Sequence, residues 1–171
     1  MHVSACSCAL SPNPYNAFMK THPLQNAPPA VRKAGFPRNR LHITKLDHGR
    51  LLTLVAQERQ GHGSDPVAAL SQELARAELV DASGILPDII TMNSRVKLRD
   101  MHSQAELVLT LVYPQCATAQ ANLISVLGPL GTALLGCRLG DQIGWPVAGG
   151  RATYWVEAIL HQPEAAGDWV S

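Results

Sequence analysis

The stretch that decides the fold is LGPLGTALLGCRLGD, residues 127–141, in which four glycines interrupt an apolar run. Gly128 followed by Pro129 is typical of a chain that leaves a strand and enters a helix, because proline suits the first helical position. Gly136 stands where a helix C-terminal cap requires positive φ, and Gly140-Asp141 is a turn signal. The pattern therefore predicts a strand, a short helix, a turn and a further strand.

One spacing in the same stretch imitates a phosphate-binding loop. Gly131 and Gly136 are separated as in G-x-x-x-x-G-K-[ST], where the lysine reaches the phosphates and the hydroxyl holds magnesium. Cys137 and Arg138 occupy those two positions here, and a turn rather than a long helix is expected to follow. The sequence thus indicates structural glycines, with no nucleotide, cofactor or metal site.

Composition limits the possible partners. The 171 residues include 14 Lys+Arg and 13 Asp+Glu, a net charge of +1. Near neutrality disfavours a broad electrostatic nucleic-acid surface, so no direct sequence-specific nucleic-acid binding is expected. No apolar run approaches the ~20 residues of a membrane helix, and the N-terminus lacks signal-peptide features. The four cysteines form no framework, so we expect a cytoplasmic protein with no membrane partner.

The chain divides into three regions by composition and period. Residues 1–40 contain half of the 12 prolines and no periodic pattern, which predicts a disordered N-terminal extension. Met19 is an alternative start. Residues 41–84 have mainly helical spacing, whereas residues 85–171 have the alternation of strands.

Residues 41–84 predict a short strand and two helices. Thr44 with Asp47 three residues later is typical of a helix start, and Asp65 before Pro66 is typical of a second one. Because each helix carries one apolar stripe, we expect a short antiparallel hairpin, or coiled coil, that leans on the following domain. The stripe residues are Leu51, Leu54 and Val55 in the first helix, and Leu70, Leu74, Ala77 and Leu79 or Val80 in the second.

Residues 85–171 predict a sheet. Apolar and basic residues alternate in RVKLRD, residues 95–100, and the leucines of AELVLTLVYP, residues 105–114, share one face. Gly149-Gly150 lies between two further strand-like segments, as in a hairpin. We therefore predict an antiparallel sheet with one short helix against it, which makes the whole chain α+β.

Several motifs resemble known families. ISVLGPLGTALLGCRLGDQIGWPVAGGRATYWVEAIL, residues 124–160, resembles the C-terminal FKBP-like domain of the Gre transcription factors, with a similar strand, Pro-x-Gly-x-Ala-Leu-x-Gly helix, Gly-Asp turn and Gly-Gly hairpin. TMNSRVKLRD (residues 91–100), LVYP (111–114) and QPEAAGD (162–168) resemble the Rnk family of regulators of nucleoside diphosphate kinase. The resemblance extends from residue 41 to the end.

The resemblance implies a two-part protein that binds RNA polymerase. In Gre factors a coiled-coil hairpin enters the polymerase secondary channel and the FKBP-like domain docks at the channel entrance. Rnk-like proteins have the same plan with a much shorter hairpin, which agrees with the hairpin expected in residues 41–84. The link to nucleoside diphosphate kinase comes from the resemblance alone.

Three sets of residues are candidates for contact with that partner. The loop that enters the predicted helix is a docking loop by this resemblance, although its glycines also have a purely structural explanation. The basic residues of 95–100 form either a polymerase-facing patch or only the wet face of a strand. The sets are the docking loop Gly128, Pro129, Leu130 and Gly131, the hairpin tip Glu58, His62, Ser64 and Asp65, and the basic face Arg95, Lys97 and Arg99.

Two alternative functions involve catalysis. Gre factors stimulate transcript cleavage with acidic tip residues that help hold magnesium, a role open here only to Glu58 and Asp65. Asp65 is explained as a helix cap, and a short arm reaches less far. A prolyl isomerase needs a pocket of several aromatic rings, but the aromatic residues are spread over separate segments and fold analogy carries no activity. We therefore expect no catalytic residue.

Overall fold

The computed structural model describes residues 31–32, 41–60, 65–147 and 150–168. The fold is α+β, with a mixed sheet and few helices. In chain order the elements are β1 (Val31–Arg32), β2 (His42–Thr44), α1 (Lys45–Gln60), α2 (Asp65–Ala75), β3 (Glu78–Val80), β4 (Arg95–Asp100), β5 (Glu106–Val112), β6 (Leu123–Ser125), α3 (Pro129–Leu134), β7 (Gln142–Val147) and β8 (Gly150–His161). Apart from β1, residues 1–40 lie outside the described part of the chain. The disorder predicted for them therefore stays a prediction.

The main sheet has six strands in the order β1-β7-β8-β4-β5-β6. The β7–β8 hairpin is present, with Gln142 opposite Trp155, while its turn at residues 148–149 lies outside the described part. The prediction of a purely antiparallel sheet is wrong, because β6 runs parallel to β5. Two 3₁₀ turns, at Pro114–Cys116 and Ala119–Ala121, carry the chain back before β6 begins, and such a return makes a parallel neighbour possible.

The second helix is shorter than its apolar pattern predicted. It ends at Ala75, where Arg76 and Ala77 donate to the carbonyls three residues earlier, a tightened last turn. Glu78–Val80 then forms β3, which pairs in parallel with β2. Leu79 is consequently exposed rather than part of the helical stripe. Residues 78–80 pair with the backbone of β2 as a strand instead of continuing the helix.

Helix α1 begins as the sequence predicts. The Asp47 amide donates to Thr44 Oγ1 at 3.0 Å, and the Thr44 hydroxyl donates to Asp47 Oδ2 at 3.0 Å. This reciprocal arrangement satisfies one of the free N–H groups at the helix start and holds a carboxylate at the positive end of the helix dipole. Both residues are buried, so the start of α1 is anchored in the body of the protein.

One apolar core joins the helices to the sheet. Helices α1 and α2 contact each other, and α2 also contacts α3. We call α1 and α2 the helical pair. No helix in the described residues is long and apolar enough to cross a membrane. The core includes Leu51 and Val55 of α1, Val67, Leu70 and Leu74 of α2, Leu130 and Leu134 of α3, and Val96, Leu98, Leu109, Leu111, Ile143 and Val156 of the sheet.

Candidate protein-docking surface

The docking loop is held rigidly at both ends. The Gly128 amide donates to the Ser125 carbonyl at 3.0 Å, and the Gly128 carbonyl accepts from the Thr132 amide at 2.9 Å. Pro129 is the first residue of α3 and follows an extended Gly128, as the sequence predicts. The Thr132 hydroxyl adds a bond to the Val126 carbonyl at 2.8 Å. These bonds restrain the backbone on both sides of Pro129.

Only half of the predicted docking loop is available to a partner. Gly128 and Pro129 are partly exposed, whereas Leu130 and Gly131 are buried. A Cβ on Gly131 would collide with the Ser125 carbonyl oxygen and would lie 2.9 Å from the Val126 Cα. Gly131 and Leu130 therefore seat α3 against the end of β6, and contact with a partner is left to the two residues before them.

The predicted hairpin tip is only partly described. Glu58 is exposed near the end of α1, His62 and Ser64 lie outside the described residues, and Asp65 opens α2. The neighbouring Arg59 donates from Nη2 to the Ser71 hydroxyl of α2 at 2.8 Å. At the other end of α1, a ring nitrogen of His48 lies 3.2 Å from the Leu74 carbonyl oxygen. Polar contacts thus bridge the helical pair at both ends.

The predicted basic face carries acids as well. Lys97 and Arg99 of β4 form ion pairs with Glu106 of β5 and Glu157 of β8, and we call these four residues the charge quartet. Lys97 Nζ lies 2.8 Å from Glu106 Oε1 and 3.4 Å from Glu157 Oε1. Arg99 Nη2 lies 2.6 Å and 2.7 Å from the same two oxygens, and its Nε donates to Glu157 Oε2 at 2.9 Å.

The quartet changes the interpretation of this face. Its formal charges cancel, so Lys97 and Arg99 offer little free positive charge to a partner, and Arg95 is the exposed basic residue of the strand. Reasoning from one strand missed the two glutamates because only the sheet register brings them opposite, with Arg99 beside Glu106. Trp155, which is 40% exposed, lies opposite Arg99 on the other neighbouring strand.

We expect the quartet to make stability depend on acid pH. The Arg99 hydrogen bonds lower the pKa of Glu157 and the Lys97 hydrogen bond lowers the pKa of Glu106, each from an ordinary value of 4.5. A carboxylate with a lowered folded-state pKa stabilises the protein above its unfolded pKa, and this contribution is lost as pH falls through the folded pKa. Glu157→Gln should therefore flatten the loss of stability below about pH 4.5, measured by denaturant unfolding at several pH values.

The matched control for this titration is Glu58→Gln, which removes an exposed carboxylate of α1 outside the quartet. It should leave the acid slope as in the wild type. A slope that is equally steep in the wild type and in Glu157→Gln would contradict a stabilising role for the quartet.

Two polar networks lie beside the sheet: one joins it to the base of the helical pair, and the other joins the C-terminal tail to the segment before β4. In the first, the Tyr113 hydroxyl, just after β5, donates to Asp47 Oδ1 at 2.9 Å. Burial raises the pKa of the Tyr113 hydroxyl well above its usual range, and the Asp47 carboxylate adds to this, while a hydrogen bond with Arg50 opposes it. Tyr113 therefore stays protonated and donates a hydrogen bond to the first turn of α1.

The second network holds the QPEAAGD tail, residues 162–168, against the segment before β4. The Gln162 amide donates to the carbonyls of Leu86 and Ile89 at 2.9 and 2.7 Å. The Thr91 hydroxyl donates to Glu164 Oε2 at 2.7 Å. Burial raises the pKa of the Glu164 carboxyl, and the Thr91 bond opposes that shift. A shallow pocket between the tail and α1 is lined by Thr44, Leu46, Asp47, Ala82, Met92, Pro163, Glu164 and Asp168.

Side chains with catalytic potential are scattered. Among the described residues no group of three or more His, Cys, Asp or Glu is arranged to hold a metal ion. Cys137 is buried and its thiol donates to the Ala133 carbonyl at 2.9 Å, while Cys116 is exposed. Tyr113 lies at the base of the helical pair. On β8, Tyr154 is buried and the adjacent Trp155 is exposed. Because Tyr154 and Trp155 are adjacent on a strand, their rings face opposite sides of the sheet.

Two family models match successive stretches of the chain. A family model described as "Rnk N-terminus" matches residues 39–80, and one described as "Transcription elongation factor, GreA/GreB, C-term" matches residues 86–161. The regulator of nucleoside diphosphate kinase of Escherichia coli K12 is 42% identical over 130 residues, covering 75% of this chain and 94% of that protein.

Elongation factors are further relatives. Transcription elongation factor GreA of Sulfurovum sp. NBC37-1 is 31% identical over 112 residues, covering 66% of this chain and 69% of that protein. A solved GreA/GreB transcription elongation factor from Nitrosomonas europaea superposes with a TM-score of 0.64 at 39% identity, covering 71% of this chain and 99% of that one. The chain therefore belongs to the family that joins an Rnk N-terminus to the C-terminal domain of the GreA/GreB transcription elongation factors.

Proposed function

We propose that this protein is an RNA polymerase-binding transcription regulator of the Rnk type that acts in the cytoplasm without catalysis. In this proposal the helical pair is a short antiparallel hairpin at the secondary channel, and the FKBP-like sheet domain docks at the channel entrance. The observation that carries the proposal is the rigid, partly exposed Gly128–Pro129 step, seated on a buried α3 that also contacts α2. Any effect on nucleoside diphosphate kinase then follows from altered transcription.

The short reach of the helical pair favours occupancy over transcript cleavage. Helix α1 has 16 residues, which at 1.5 Å per residue is about 24 Å, and α2 has 11. Glu58 is the exposed carboxylate near the far end of α1. The tip segment 58–65 contains two acids, Glu58 and Asp65, whereas magnesium prefers several oxygen donors in octahedral geometry. The helical pair is therefore suited to filling the channel mouth.

The proposal is tested by binding to purified core RNA polymerase. We expect Pro129→Glu to weaken binding at least about tenfold, because it places a charge on the exposed step while glutamate remains compatible with the first turn of a helix. Pro87→Glu is the matched control, since Pro87 is an exposed proline in a turn outside the docking loop, and it should bind within about twofold of the wild type. Binding of Pro129→Glu at wild-type affinity would reject the docking loop, and no binding by the wild type would reject the function.

A cleavage assay on a stalled transcription complex separates this proposal from the Gre-type alternative. We expect the wild-type chain to leave the rate of transcript cleavage unchanged. Stimulation that disappears in Glu58→Ala and Asp65→Ala would instead support cleavage by the tip. Accelerated proline isomerisation of a test peptide would support the FKBP-like enzyme alternative.

A further inference from the structure

The hydrogen bond between Tyr113 and Asp47 is a polar contact between the helical pair and the sheet, beside the apolar core that they share. Asp47 lies in the first turn of α1 and is 6% exposed. Its Oδ2 accepts from Thr44 within the same helix start, and its Oδ1 accepts from Tyr113 at the end of β5, 66 residues away. The carboxylate is thus bonded on one side to the helix and on the other side to the sheet.

A second contact between the two parts is apolar. Gly136, just after α3, has a φ of +73°, and a Cβ there would collide with the Leu41 side chain that precedes β2. Leu41 also accepts the Glu78 amide at 2.7 Å, which ties it to β3. The base of the helical pair therefore rests on the C-terminal end of α3, the helix whose N-terminal end carries the docking loop.

The two contacts differ in what they restrain. Apolar packing is non-directional, so the shared core, including Leu41 against Gly136, restrains small rotations of the helical pair less sharply than it restrains separation from the sheet. A hydrogen bond to a carboxylate is short and directional, so the Tyr113–Asp47 bond restrains that rotation. Because α1 is about 24 Å long, a rotation of roughly 10° at its base moves its far end by about 4 Å. A small rotation at the base of the helical pair is thus amplified at the far end of α1.

We propose that Tyr113 is a positioning residue whose bond to Asp47 sets the angle between the helical pair and the sheet. At this angle the far end of α1 and the Gly128–Pro129 step reach one polymerase molecule together. This inference rests on the proposed function for its purpose, but the angle itself is a property of the free protein. Tyr113→Phe removes only the hydroxyl, with its hydrogen bonds to Asp47 and Arg50 of α1, and keeps the ring, so it tests this polar contact without opening a large cavity.

The experiment compares Tyr113→Phe with Tyr154→Phe in the full-length chain. Tyr154 also forms a hydrogen bond with an aspartate, Asp100, but both residues belong to the sheet. Backbone N–H residual dipolar couplings are measured for α1 and α2 and for β4, β5 and β8. We expect one alignment tensor to fit both parts in the wild type and in Tyr154→Phe. In Tyr113→Phe the alignment tensor fitted to the helical pair should differ from that of the sheet in orientation or be smaller in magnitude.

Polymerase affinity provides the second readout. We expect Tyr113→Phe to weaken binding about threefold to tenfold while Tyr154→Phe binds like the wild type, since only the first loses a bond that orients the two contact regions. One common tensor in Tyr113→Phe would overturn the inference, and so would a changed tensor with wild-type affinity. If the wild type does not bind polymerase, the proposed function fails, whereas the couplings still decide whether Tyr113 orients the helical pair.

Discussion

Replacement of Gly131 by alanine is expected to destabilise the protein by about 3 kcal/mol, at the upper end of the usual cost of overpacking. Gly131 lies in α3, and an added Cβ would collide with the backbone carbonyl of Ser125 and lie 2.8 Å from its carbon. A backbone atom cannot move aside as a flexible side chain can. The methyl group would therefore push α3 away from the end of β6 and loosen the docking loop as well.

Gly49→Ala is the matched control for this substitution. Gly49 also lies in a helix, but nothing approaches its added Cβ within 4 Å. Alanine there should stabilise the protein by about 0.5–1 kcal/mol because it reduces the entropy of the unfolded chain and favours the helix. Denaturant unfolding with a common m-value measures both changes. Equal stability of Gly131→Ala and the wild type would show that α3 is free to shift.

Replacement of Leu70 by alanine is expected to cost about 2–5 kcal/mol and to lower the stability of the whole chain. Leu70 of α2 is fully buried in the core that also contains residues of the sheet. If that core is one cooperative unit, the loss is felt by the sheet as much as by the helices. Near-ultraviolet and far-ultraviolet circular dichroism should therefore report a single, earlier unfolding transition.

Leu52→Ala provides the control, since Leu52 of α1 is 44% exposed and truncation there should change stability by no more than about 0.5 kcal/mol. Two separate transitions in Leu70→Ala, with the sheet unfolding as in the wild type, would contradict a shared core. Residues 41–84 and 85–171 would then be independent folding units.

Elements whose signals are local were predictable. Val96 and Leu98 are buried at alternate positions of β4, because side chains of a strand point to opposite faces. The cap formed by Thr44 and Asp47 needs only residues three apart. Gly136 has the positive φ expected of a helix end. In each case the interaction that selects the structure lies within a few residues of chain.

The missed features all depend on distant partners. Leu79 has a helical pattern, but pairing with Ile43 makes it part of a strand. The parallel placement of β6 beside β5 depends on the path of the intervening chain. Lys97 and Arg99 appeared to form a basic face until Glu157, 58 residues from Arg99, was brought opposite them. Leu130 of the predicted docking loop is buried in the core by contacts with residues distant in sequence.

The sequence by itself determined the α+β class, the short helix that begins at Pro129 and the family to which the chain belongs. Periodicity, caps and turn glycines act over three or four residues, so they can be recognised in the sequence without knowing where the rest of the chain lies. Only the tertiary structure decided which charges are neutralised, which loop residues remain exposed and how the helical pair is joined to the sheet. Those outcomes depend on contacts between residues far apart in sequence, such as Tyr113 with Asp47, which no local pattern encodes.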